Sequence, residues 1–140
     1  MRIQRYQREK TIGTHNFDCF QLYIGSISDP KGRFYKGMTV LWAGGANIET
    51  PIPLSKDEAL RFADYLESVV AGTLPSKYIV KGYGYWIFNG MLNLHLKFSK
   101  VENNDIKCRM SFSAKTMWGR VNMKSIDAAA SSLRVLYKNA

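Results

Sequence analysis

Side chains able to do covalent or metal chemistry are few in this 140-residue chain, and they are scattered. It holds two cysteines, Cys19 and Cys108, and two histidines, His15 and His95. A structural zinc site needs four soft ligands in short-spaced pairs, and there is no Cys-x-x-Cys to start one. Neither histidine has the partner spacing of a metalloprotease helix. Both cysteines lie in apolar, strand-like stretches, which reads as buried free thiol. Lys81, Gly82 and Gly84 lack the helix onset that makes a phosphate loop. Asp57, Glu58, Asp64 and Glu67 fall at helical spacing and read as one solvated helix face. No enzyme activity, metal or cofactor is expected.

Cations and aromatic rings are the abundant chemistry. Twenty Lys and Arg stand against eleven Asp and Glu, a net charge of +9, with 13% aromatic residues. The excess is uneven. Residues 1–76 carry nine basic and eight acidic side chains (+1), and residues 77–140 carry eleven and three (+8). Such a charge favours a polyanionic partner. With 46% hydrophobic residues the chain can bury a core, so a disordered basic tail is excluded. No run of 18 apolar residues offers a membrane span, and the first ten residues lack the apolar stretch of a secretory signal. Arg2, Arg5 and Arg8 superficially resemble an organellar presequence, but Glu9 follows them and the serines of such a segment are missing. A soluble intracellular protein, cytoplasmic or nucleoid-associated and without a membrane partner, is expected.

The elements that must position these groups come twice. At an offset of 70 residues, Ser55-Lys-Asp-Glu-Ala59 aligns with Ser125-Ile-Asp-Ala-Ala129, Leu22 and Ile24 with Leu92 and Leu94, and Met38, Val40 and Trp42 with Cys108, Met110 and Phe112. Each half reads as four antiparallel strands and a helix. This predicts an α+β fold, 1–140 as a single domain, with repeats 1–72 and 77–140, connector 73–76, and sheets backed by the two helices. In the first repeat the strands are expected in Ile3–Gly13, Phe17–Ser26, Phe34–Ala43 and Ile48–Pro53. A Gly44-Gly45 turn separates the last two, and a helix capped by Ser55 and Glu58 follows, with Leu60, Ala63, Leu66 and Val70 as its buried stripe and Gly72 as its exit. In the second they are expected in Lys77–Phe88, Met91–Lys100, Ile106–Phe112 and Met117–Met123, then a helix over 126–138 capped by Ser125. Open sheet edges leave room for a homo-oligomer.

Alternation along the strands selects the exposed groups. Opposite the apolar side of the second repeat lie Lys81, Tyr83 and Tyr85; then His95 and Lys97; then Lys107 and Arg109; then Trp118 and Arg120. A hairpin around Asn103 and Asn104 makes Lys97 and Arg109 neighbours on one face. Like charges side by side cost stability unless something outside neutralises them. The first repeat offers Tyr23, Arg33 and Tyr35, with Gln21 and Thr39, on its corresponding face. Rings among cations suit a single-stranded nucleic acid, DNA ahead of RNA, held by phosphate contacts and stacking with little sequence preference. A protein-interaction module or inhibitor docking through the same basic face is the alternative, and a small nuclease the third reading.

Four strands and a helix, given twice, resemble the Whirly family and its relative, the transcriptional coactivator positive cofactor four. Thr50-Pro-Ile-Pro-Leu-Ser-Lys-Asp-Glu-Ala59 is similar to the coactivator's last strand leading into a capped helix. The Lys-Gly-Asn-Ala-Ala-Leu signature of plant Whirly proteins is absent. The resemblance implies binding of single-stranded DNA or RNA across the sheet faces, without enzyme activity. For the third reading, Leu22-Tyr23-Ile24-Gly25 and Phe34-Tyr35-Lys36-Gly37 are partly similar to the opening of a GIY-YIG nuclease, but the preceding Gly-Ile-Tyr strand is missing.

Overall fold

Every second residue of Phe20–Ser28 and Phe34–Trp42 is apolar over the central stretch, and that alternation builds the first sheet. The computed structural model describes residues 7–18, 20–28, 31–42, 49–73, 77–83, 91–102, 105–112 and 115–138. The first sheet has the order β1 (Gln7–Asn16), β2 (Phe20–Ser28), β3 (Phe34–Trp42), β4 (Glu49–Pro53), and α1 (Lys56–Val70) follows it. The second has the order β5 (Tyr78–Tyr83), β6 (Met91–Glu102), β7 (Asp105–Phe112), β8 (Lys115–Asn122), followed by α2 (Met123–Val135). Both sheets are antiparallel meanders, so the chain is α+β with two units of four strands and a helix. Phe20, Leu22, Ile24, Met38 and Val40 of the first sheet join Leu94, Leu96, Phe98, Ile106, Cys108 and Met110 of the second in one hydrophobic cluster.

Ser55 caps α1 as its sequence predicts, its hydroxyl accepting from the Glu58 N–H at 3.1 Å. Gly72 takes the left-handed exit at φ 87°. The buried stripe is Ala59, Phe62, Ala63, Tyr65, Leu66 and Val69, turned relative to the expected one, with Leu60 and Val70 only half-buried. Glu58 does not belong to a solvated face. It is buried, and its carboxylate accepts from the Tyr78 hydroxyl at 3.1 Å and meets Arg61 at 3.4 Å.

The second helix starts earlier than expected. Asn122, not Ser125, is the N-cap, accepting from the Lys124 N–H at 2.8 Å. Asn122 is both the extended last residue of β8 and the cap, so the strand runs straight into the helix without a linker. Ile126, Ala129, Ala130, Leu133 and Leu136 lie inside, each 67 residues after Ala59, Phe62, Ala63, Leu66 and Val69. The two units are therefore equivalent, but at shifting offsets. Ile24 pairs with Met38 as Phe98 pairs with Cys108, which separates β2 from β6 by 74 residues and β3 from β7 by 70. Ile52 and Gly119 face those same β3 and β7 residues, an offset of 67. His15 and Tyr78 face Leu22 and Leu96, an offset of 63. The uniform 70 holds only for β3 and β7, because the turns differ in length between the units.

The helices reach across to each other's unit. Tyr65 of α1 stacks on Tyr78 of β5 at 4.7 Å and packs on Phe98 of β6 at 5.8 Å. Ser132 of α2, the equivalent of Tyr65, is hydrogen-bonded at 2.8 Å to His15 of β1, the equivalent of Tyr78. This close approach needs Gly13, where a Cβ would sit 2.5 Å from the Ser132 hydroxyl. Between the helices, Arg134 donates to Glu67 and to Asp64 at 2.5 Å. Glu67 and Arg134 are themselves equivalent, so the pair lies on the approximate two-fold relation between the units. The hydrogen bond from Arg134 holds the Glu67 carboxyl below its ordinary value.

Two expectations follow. Burial pushes the His15 imidazole below its ordinary value of about 6.5. The unfolded chain therefore takes up the proton first, and stability fully present above pH 6.5 is lost as pH falls from there through the lower folded value. Urea melts across that range should show the loss in the natural protein and not in His15→Gln. Second, Glu67→Arg opposes two arginines across the helix pair and should destabilise, within about 1 kcal/mol because the groups are partly solvated. Adding Arg134→Glu should recover most of that loss, as a double-mutant cycle would measure.

Candidate nucleic-acid interface

The outer face of the second sheet is set by strand parity. Because Leu96, Phe98, Cys108, Met110 and Val121 point into the core, their neighbours must point out. The register then fixes who meets whom. Lys97 lies opposite Arg109, Arg109 opposite Trp118, Lys107 opposite Arg120, and Ser99 opposite Lys107. Four cations on three neighbouring strands thus form one block, with Lys97, Lys107 and Arg120 exposed and Arg109 half-buried. His95, half-buried between Ile79 and Ser111, continues the face toward β5. Ser111 and Thr116 complete that row and share a hydrogen bond at 3.1 Å. Asp105 lies on the same face at the turn end of β7.

Trp118 is 54% exposed and makes contacts of its own on this face. The Lys107 ammonium lies 4.3 Å from its ring centroid and the Arg109 guanidinium carbon 5.5 Å. The indole draws both cations toward itself through its π-face, which lowers the cost of their crowding and fixes their positions. This positioning role is absent from a reading that assigns stacking to the ring and phosphate contact to the cations. Its signal in the sequence is the Lys-x-Arg of β7 falling opposite Trp118, visible only once the register is known.

The edge strand β8 is held by a residue that sequence reading missed. Asp18, at φ 66° in the β1–β2 turn, accepts the Arg120 backbone N–H at 2.9 Å through its carboxylate. Its own N–H donates to the Asn16 side chain at 2.9 Å. A short Asx turn in the first unit therefore pins the strand that carries Trp118 and Arg120.

Three expected contributors from the first unit stand apart. Arg33 is exposed just before β3 and Tyr35 is half-buried on it, both on the other sheet. Tyr23 is a correction: at 2% exposure it offers no surface for stacking, and Thr39 beside it is buried too. Gly25 and Gly37 face each other across β2 and β3, with the Lys10 carbonyl closing over Gly25 and the β4 backbone at Ile52 and Pro53 closing over Gly37. The Tyr23 ring lies along its own strand toward Gly25, its hydroxyl donating to the Ser26 carbonyl at 3.3 Å, with the Arg8 guanidinium 4.7 Å above the ring. Lys81 and Tyr83 lie on β5, but their side chains, and all of Tyr85, fall outside the described residues.

Among the described residues, no three His, Cys, Asp or Glu converge as a metal site would require, and no helix is long and apolar enough to cross a membrane. No protein-family model matches the sequence, and no curated protein matches it.

Trp118→Ala should leave the fold intact while releasing Lys107 and Arg109, at a cost of about 0.5–1 kcal/mol in denaturant melts. Replacing Lys107 and Arg109 as well should add less than their separate effects, since the contacts are already gone.

Proposed function

We propose that the chain binds single-stranded nucleic acid, DNA ahead of RNA, on the outer face of its second sheet, with little sequence preference and no chemical step. One observation carries the reading: two directly opposed cation pairs, Lys97 with Arg109 and Lys107 with Arg120, stand on an open face around an exposed indole. Opposed like charges at strand spacing repel by roughly 1 kcal/mol per pair when the face is empty. Phosphates laid across them remove that repulsion and release counterions. The exposed part of Trp118 gives a base an apolar surface, and the hydroxyls of Ser99, Ser111 and Thr116 add donors for phosphate or sugar. Two units of four strands and a helix agree with the element order of the Whirly-like resemblance and support the same class. Such a ligand places the protein inside a cell, in the cytoplasm or at a nucleoid.

Titration of labelled single- and double-stranded oligonucleotides at two salt concentrations tests this. Single strands should bind more tightly than duplex and weaken steeply with salt. Lys97→Ala with Arg109→Ala removes two phosphate contacts and should flatten the log K against log salt slope by about 1.4. Duplex preference, or affinity indifferent to salt, would remove the reading in favour of a protein partner for the same face.

A further inference from the structure

The start of β3 carries an aromatic that the fold leaves uncovered. Phe34 shares the inward parity of Met38 and Val40, yet lies beyond the cover of the helices and is 69% exposed. It borders a cleft of about 560 Å³ whose walls include Tyr35, Lys36, Pro53 and Tyr137. The Tyr137 hydroxyl donates to the Leu54 carbonyl and fixes that ring in the wall, while the Lys36 ammonium sits 5.0 Å from the ring centroid. The volume lies in the range of small-molecule sites.

Charge gathers around this aromatic cleft. Arg33 precedes Phe34, Lys56 follows the Ser55 cap and Lys138 follows Tyr137, all three exposed, and Lys36 stands in the wall. The acids of the first turn of α1 are engaged elsewhere, Asp57 with Arg61 at 3.8 Å and buried Glu58 with Tyr78. A ring with a cation against it, an exposed ring beside it, and further cations next in the chain to the lining residues suit a ligand that is planar and apolar at one end and anionic at the other. An acidic peptide would use the cations but leave the rings unexplained.

We propose that this cleft takes one nucleotide of a bound single strand, its base against Phe34 and Tyr137 and its phosphate toward Lys36. The proposal rests on the single-strand reading above but uses none of its residues, so the two are separable.

The test is photocrosslinking of thymidine strands of about 20 nucleotides, each carrying one 5-iodouracil, followed by mapping of the modified peptide, with affinities measured in parallel. Crosslinks should fall on Phe34, Tyr35 or Tyr137. Phe34→Ala with Lys36→Ala should weaken binding about fivefold or more, with the fold retained and the melting temperature lowered only by loss of the Lys36–Tyr137 contact, since Phe34 is exposed. Suppose strands bind and Lys97→Ala/Arg109→Ala weakens them, while crosslinks map only to β6–β8 and the cleft variant binds normally. The cleft proposal then falls and the single-strand reading stands. If no strand binds at all, both fall. A polyglutamate peptide whose binding is lost in the cleft variant, with no crosslink there from any strand, would assign the cleft to an acidic protein segment and overturn the proposal.

Discussion

Neither meander closes a core with its own helix alone, and the packing of each helix against the other unit's first strand is the constraint on which the molecule depends. Tyr65 of α1 rests on Tyr78 of β5, and Ser132 of α2 is bonded to His15 of β1. These are the same contact made twice about an approximate two-fold axis, with Glu67 and Arg134 meeting close to it. A unit of about 70 residues buries too little apolar surface to be comfortable by itself. Two such units that exchange helix contacts share one cluster, and each becomes a condition for the other's stability. The equivalent contacts have diverged in chemistry while keeping their place: an aromatic stack on one side, where the Tyr65 hydroxyl has no partner among the described residues, and a polar bond on the other.

With the helices on the inner side of both sheets, the outer faces were left to diverge. The first sheet closes much of its own, laying Tyr23 toward Gly25 beneath Arg8 and burying Thr39 and Ile27. The second keeps its face open and loads it with cations that pair with one another across strands. That arrangement is poor for stability and good for an anion, and Trp118 makes it tolerable by drawing Lys107 and Arg109 to its ring. The Asp18 clamp on β8 shows that the first unit still serves the second's face: a turn between β1 and β2 holds the edge that carries the indole.

Much of this was legible from alternation. The opposition of Lys97 and Arg109 follows from parity and from a turn at Asn103 and Asn104, because a period of two leaves only one face for each residue once the neighbouring apolar side is assigned. The same rule failed for Tyr23. Parity says which side of a sheet a residue leaves from, and says nothing of what a long side chain then lies against. A glycine two residues along its own strand and an arginine from the neighbouring one turned an outward ring into a buried one. The cap of α2 was missed because Asn122 ends β8 and caps the helix at once, whereas a strand carried to Met123 leaves Ser125 as the next cap.

The sequence by itself determined the order of the elements, the existence of two related units, and which strands carry the charge, since these depend on local periodicity, turn residues and composition. The tertiary structure decided the rest: that the helices bridge the units, that offsets drift from 63 to 74 residues while equivalence persists, and that Trp118 positions cations. Each of these depends on groups far apart in the chain meeting in space. Cross-strand register and helix exchange are set by how two half-cores fill one volume, a condition no window of sequence contains.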